Sequence, residues 1–233
     1  MWFKTRRVFA LLHGRGIGVL NMIDTSQLRV ERIERNLAIE YTKKYHYLHR
    51  VSPCSMAFGL FQGDEIKGVI IYGVPPSSTL LKGICGEDEA KNVYELNRLW
   101  TSDDMPKNTE SFFIAQTFKM LDRDIIVSYA DSSQNHIGYV YQATNWIYTG
   151  TSRPFKDPMV KGLEHQHHAT YAHGMTKKQL EEKYGDRLYW KNRPLKHRYI
   201  IFLGDKRRKR ELKKKLKYEV LPYPKLPATE MPK

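Results

Sequence analysis

The chain has 233 residues, 41% of them apolar and 12% aromatic, enough to bury a substantial core in one domain with appendages. Its formal net charge of +14 is concentrated in residues 206–217 (KRRKRELKKKLK), where nine basic residues meet one acid, so its natural partners are polyanions, nucleic acid first and an anionic membrane second. Cys54 and Cys85 form no C-x-x-C pair, which excludes a disulfide scaffold and a thiolate zinc site and suits a reducing cytoplasm, and no apolar run of ~18 residues exists to span a membrane.

Residues 1–21 loosely imitate a signal peptide, but their apolar run is too short and no A-x-A-like site follows, so they read as an N-terminal extension. Leu28, Ile33, Leu37 and Tyr41 at helical spacing predict a helix over 26–44, leading into KYHYLHR. Apolar runs at 56–62 and 66–73 around Gly63-Asp64 predict an antiparallel hairpin. The segment PPSSTLLKGICGEDEAKN reads as a loop, and YELNRLWT as a strand over 94–101. Thr109 then caps a buried helix over 111–121, followed by a strand over 124–131, a helix over 137–145 and a strand over 146–152. Thr176 and Gln179 form a capping-box pattern for a helix closed by Gly185, and 199–203 is a last strand. The economical architecture is α/β (α+β), a mixed, mainly antiparallel sheet flanked by helices. Its main domain spans 22–204, and a basic, proline-containing tail occupies 205–233.

The stretch VSYADSSQNHIGYVYQATNW ends a strand on Asp131, passes a polar loop and opens a helix carrying Tyr141. Either it is an ordinary corner, with Asp131 bonding its own turn and Tyr141 in the core, or both residues face a cleft. His165, His167, His168 and His173 match no standard zinc spacing and read as a solvated polar loop.

Taken together, YHYLHR, ELNRLW, PKNTESFF, VSYADSSQNHIGYVYQATNWIYTGT and KHRYIIFLGDKRRKRELKKKLKYEVLPYPK, in that order, resemble the Mom family of phage DNA-modification proteins over about residues 25–225. The resemblance implies a GNAT-like fold and conversion of adenine in DNA to N6-carbamoylmethyladenine, which protects phage DNA from restriction. It singles out His46, Tyr47, Arg98, Ser111, Asp131 and Tyr141 as catalytic, with Arg98 and Ser111 also on the group donor. Each has an ordinary explanation too: His46 and Tyr47 close a helix, Arg98 pairs with Glu95, and Ser111 helps a cap.

Adenine N6 is a poor nucleophile, so a base, Asp131 or His46, must take its proton. Tyr141 would protonate a leaving group, and Arg98 would hold an anionic donor or stabilise developing charge. A target base inside a duplex must be flipped, with Tyr47, Trp100 or Trp146 to stack on it. LWTSDDMPKNTES lacks the glycines with which acyl-CoA members of the GNAT fold hold a pyrophosphate, so acetyl-CoA stands beside another small acyl or amino-acid-derived donor. An iron site of His46, Tyr47 and Asp131 is the alternative to acid–base chemistry.

Arg207, Arg208, Lys209 and Arg210 are expected to contact DNA phosphates. The partners expected are therefore double-stranded DNA and a small-molecule donor, in a bacterial host cytoplasm and without a membrane; a dimer is compatible. Other functions compatible with the residues are a GNAT-type N-acetyltransferase acting on a basic protein or tRNA, and a non-catalytic basic nucleic-acid-binding protein.

Overall fold

β2 (Met56–Gln62) and β3 (Glu65–Gly73) form the expected hairpin, with Gly63 at φ 61° supplying the left-handed turn residue. The computed structural model describes residues 25–166 and 168–225, so the N-terminal extension and His167 lie outside the described residues. Around the hairpin stand β1 (Leu28–Arg32), β4 (Val93–Thr101), β5 (Ile125–Asp131), β6 (Ile147–Thr151) and β9 (Lys196–Phe202). Their order is β1-β2-β3-β4-β5-β9-β6, and every pair is antiparallel except β4 with β5. The mixed, mainly antiparallel sheet flanked by helices is the predicted class.

On one face α3 (Thr109–Thr117) and α4 (Tyr139–Ala143) cover Tyr72, Leu96 and Ile126, with Phe113, Ile114, Tyr141 and Trp146 filling the layer. On the other, Ala38 of α1 (Arg35–Tyr45) packs on Ala57, Val69 and Ile71. Beside it, α2 (Ser78–Cys85) and α7 (Lys206–Lys215) set Ile84 and Leu212 over Val93, Val127 and Ile200. A second sheet pairs β7 (Lys156–Val160) with β8 (Leu188–Asn192), and α5 (Ala169–Ala172) and α6 (Lys177–Tyr184) lie between them in sequence. The capping box of α6 is present as predicted: Gln179 N–H donates to Thr176 Oγ1 and Thr176 N–H to Gln179 Oε1.

Four readings change. Residues 28–32 form the edge strand β1, since Leu28 and Val30 alternate toward the core, and the helix begins only at Arg35. The presumed loop holds α2, capped by Ser77 Oγ accepting from Leu80 N–H at 3.2 Å. The β7–β8 ribbon was not foreseen. Finally, the charged segment after Gly204 begins as a helix capped by Asp205, whose carboxylate accepts from Arg208 N–H at 2.7 Å.

The ladder that matters for the site is the parallel one. β4 and β5 pair only through Val93–Ile125, Tyr94–Ile126 and Glu95–Val127, although both strands run on to Thr101 and Asp131. Beyond that point they part. A bulge in the β3–β4 ladder sets Leu96 opposite Tyr72 and Arg98 opposite Ile71, leaving Asn97 as the extra residue. Glu95, opposite Gly73, and Arg98 therefore share a face despite being three residues apart.

Candidate active site

The split between β4 and β5 is floored by Ser128, fully buried, whose Oγ lies 3.0 Å from Leu96 O on β4 and 2.8 Å from Tyr141 Oη. One hydroxyl proton serves one acceptor, so Tyr141 donates to Ser128 when Ser128 donates to the Leu96 carbonyl. Burial raises the Tyr141 phenol well above the usual tyrosine range. Tyr141 thus braces the floor of the split, with its hydroxyl turned inward.

Arg98 stands at the mouth. Its Nη1 donates to Asn97 O at 2.6 Å and its Nη2 reaches Arg50 O at 3.5 Å, while Nε is buried with no acceptor among the described residues. A guanidinium short of acceptors is poised for a polar ligand. His46 closes α1, its N–H bonding Thr42 O at 3.1 Å, and only 8% of it is exposed. Burial, then the Arg98 charge, push its imidazole down to about 4, so the ring is neutral at pH 7. Nδ1 accepts from Leu48 N–H at 3.2 Å, which assigns the proton to Nε2 and makes His46 a donor. Tyr47 stacks on His46 with centroids 4.4 Å apart and meets His136 edge-on at 6.0 Å, yet stays 45% exposed. Burial and then the nearby Asp131 charge raise its phenol.

Asp131 does cap its own turn: Oδ1 accepts from Ser133 N–H at 3.0 Å and Ser133 Oγ at 2.7 Å. Its other oxygen lies 3.7 Å from Lys196 Nζ, and its charge contributes to raising the Tyr47 phenol. The turn-capping reading of Asp131 is therefore present in the fold.

Sequence reasoning gave Glu95 only a structural part, as an ion-pair partner of Arg98. Its carboxylate, largely buried and without a hydrogen-bonding partner among the described residues, is pushed up to about 7 by burial, with Lys196 and Arg98 opposing the shift. The signal was an acid inside the apolar strand YELNRLW.

Ser111 belongs to a neighbouring groove of about 340 Å³ bounded by the loop after β4, the first turn of α3, and Tyr139 and Val140 of α4. Its Oγ is taken by Asn108 O at 2.9 Å. Asp103 and Glu110 line this groove with Lys107 as the one cation, and no glycine occurs from Thr101 to Asn108. A diphosphate therefore does not fit it.

Neither does iron fit the His46, Tyr47 and Asp131 set. Among the described residues no three His, Cys, Asp or Glu gather to hold a metal ion, and the His46 Nδ1 and the Asp131 oxygens are already engaged. In the histidine segment, His168 reaches Asp157 at 3.5 Å.

The four basic residues on α7 are not equivalent. Arg208 points inward to Glu89, to Asp124 at 2.8 Å and to Glu211 at 3.1 Å, while Arg207, Lys209 and Arg210 are exposed. No helix among the described residues is long and apolar enough to cross a membrane.

Among solved structures, a Bacillus subtilis acetyltransferase in complex with CoA aligns at TM-score 0.40 and 13% identity, over 76% of this chain and 99% of that one. The ribosomal-protein-S18-alanine N-acetyltransferase of Escherichia coli aligns at 0.43 and 8%, over 76% and 95%. The methylcarbamoylase mom of Escherichia phage Mu is 30% identical over 215 residues, 86% of this chain and 85% of that protein. A model described as the Mom protein family matches residues 27–225, nearly the whole described chain, and the chain belongs to that family.

Proposed function

We propose that the chain transfers a carbamoylmethyl group to N6 of adenine in double-stranded DNA, shielding phage DNA from host restriction. One observation carries this reading: in a relative of a phage methylcarbamoylase, His46, Tyr47, Arg98 and Asp131, from three separate stretches, meet at the mouth of the β4–β5 split.

In the step proposed, the N6 lone pair forms a bond to the methylene of an acetamide donor. The bond from that methylene to its leaving group breaks, and the leaving group departs with the electron pair. Asp131 takes the N6 proton. Neutral His46, with its hydrogen on Nε2, donates to the acetamide carbonyl, and Arg98 stabilises the charge that gathers on the leaving group. Glu95 moderates the Arg98 charge from the same face of β4. Tyr47, exposed and stacked on His46, receives the base. Tyr141 holds Ser128 and the split in shape.

The groove at Ser111 suits a small, uncharged or amino-acid-derived donor better than coenzyme A, because its carboxylates outnumber its one ammonium. The exposed Arg207, Lys209 and Arg210 on α7 contact phosphates, and Arg208 fixes the helix that carries them.

Nucleosides from a bacterial host expressing the chain test the proposal by mass spectrometry. Deoxyadenosine gaining a carbamoylmethyl group is the expected result; an unchanged deoxyadenosine pool, or acetylated protein or tRNA instead, overturns it.

A further inference from the structure

The two strands of the β7–β8 ribbon spring from the rim of the split. Ser132, next to Asp131, donates both its N–H and its hydroxyl to Leu195 O, at 3.3 and 2.6 Å. Lys156 pairs with Asn192, and Arg193 N–H donates to Phe155 O at 2.8 Å, so RPFK (153–156) and WKNRPL (190–195) lie side by side against the Asp131 corner. Every residue of both stretches is exposed, and neither contains an acid.

Within this surface Phe155 is 58%, Trp190 38% and Leu195 37% exposed. Phe155 shares its face of the ribbon with Lys191 and Arg193, and a large apolar ring exposed among cations calls for a partner. The Phe155 ring is also supported: the Arg193 guanidinium lies 4.9 Å from its centroid, and Arg193 is itself held by Asp157, Nε to Oδ2 at 3.0 Å. Arg153, Lys156 and Lys191 enter no ion pair among the described residues. By contrast, α7 meets the sheet at Asp124, the far end of β5 from Asp131, about 23 Å away at ~3.3 Å per residue. The basic helix therefore sits far from the mouth, and the ribbon base sits beside it.

We infer that this ribbon base is a duplex-DNA contact surface, in which Arg153 and Lys191 bind phosphates and Phe155, on the same ribbon face as Lys191, enters the base stack beside the Asp131 corner. The inference rests on the adenine reading above and supplies what that reading lacks, a means of bringing the base out. An apolar ring inserted at a base step unstacks it, and the flanking cations hold the backbone while it does so. The Leu195 carbonyl, bonded to Ser132, ties this surface to the Asp131 corner.

The test uses the full chain and short duplexes carrying 2-aminopurine at successive adenine positions, and it needs no group donor. The parent should raise 2-aminopurine fluorescence at one or more positions. Phe155→Ala should bind within about threefold of the parent yet lose that rise, since ring insertion and not phosphate contact is removed. Phe155→Leu should keep most of it, and placing the analogue opposite an abasic site should restore it to Phe155→Ala. Changing Arg153 and Lys191 together to Glu should lower the slope of log affinity against log salt by about two and weaken binding by tenfold or more.

Parental fluorescence in Phe155→Ala, or no rise in the parent, overturns the wedge. Parental affinity and slope in the double variant overturn the surface. Capture by phosphatidylserine vesicles that depends on Phe155, with no such dependence on duplex, overturns DNA as the occupant. If the fluorescence signal stands but no modified deoxyadenosine is found in cells, the proposed chemistry fails and this surface survives; circular dichroism and thermal melting of each variant separate both from misfolding.

Discussion

Glu95 and His46 impose opposite pH dependences on stability. The Glu95 carboxyl titrates near 7 folded against an ordinary 4.5, so the folded chain holds that proton and stability falls as pH rises through this window. His46 titrates near 4 folded against 6.5, so the unfolded chain binds the extra proton and stability falls as pH drops through 6.5 toward 4. Glu95→Gln should therefore gain on the order of 2 kcal/mol over the parent at pH 8 and little at pH 4, measured by urea denaturation. At the same scale, Asp131→Asn should cut the fraction of modified deoxyadenosine at least about 100-fold, whereas Tyr141→Phe should cost less than about tenfold together with about 1 kcal/mol of stability. That inequality follows from the inward turn of the Tyr141 hydroxyl, which the helical stripe of apolar residues around it already allowed. Glu95 was read only as an ion-pair partner for Arg98; sequence spacing puts the two on opposite sides of a regular strand, and it is the bulge at Asn97 that sets them on one face.

Among the elements, α7 shows most clearly how charge can hide packing. In KRRKRELKKKLK, Arg208, Leu212 and Lys215 recur at four and three residues, the spacing of one helical face, but a single leucine among so many cations carries little weight as a pattern. In the fold that face is docked: Leu212 is fully buried, and Glu89, 4% exposed, accepts from Arg208, from Lys215 at 2.6 Å and from Asn92 at 2.8 Å. Arg208→Ala leaves the buried Glu89 carboxylate short of its principal partner and should cost about 3 kcal/mol in thermal or urea melts. Arg207→Ala and Lys209→Ala should leave stability within about 0.5 kcal/mol of the parent and lower DNA affinity and its salt slope. The hairpin was legible because turn glycine, alternation and run length agreed; α2 was missed because the prolines and glycines at its ends outweighed Leu80, Leu81 and Ile84 between them.

For the whole molecule, the residues after α7 bind the sheet together. Tyr218 takes the Arg198 guanidinium 3.5 Å from its ring centroid, Leu221 N–H donates to Tyr148 O at 3.0 Å, and Tyr223 Oη donates to Trp146 O at 2.7 Å. This strap lies along the free edge of β6, and an uncovered edge invites pairing with another chain. Truncation after residue 216 should therefore yield concentration-dependent association by light scattering, while truncation after 225 should not. The short parallel ladder between β4 and β5 has a wider consequence. It divides the sheet into two leaves, β1-β2-β3-β4 and β5-β9-β6, bound along a spine of three residue pairs at the end away from Asp131. Arg208, holding Glu89 ahead of one leaf and Asp124 ahead of the other, is a clasp on that spine. The open margin is therefore the place where the leaves can part while the bound margin stays shut, and those amide hydrogens of 98–101 and 129–131 that face the split rather than β3 or β9 should exchange well before those that β4 and β5 share at 93–95 and 125–127.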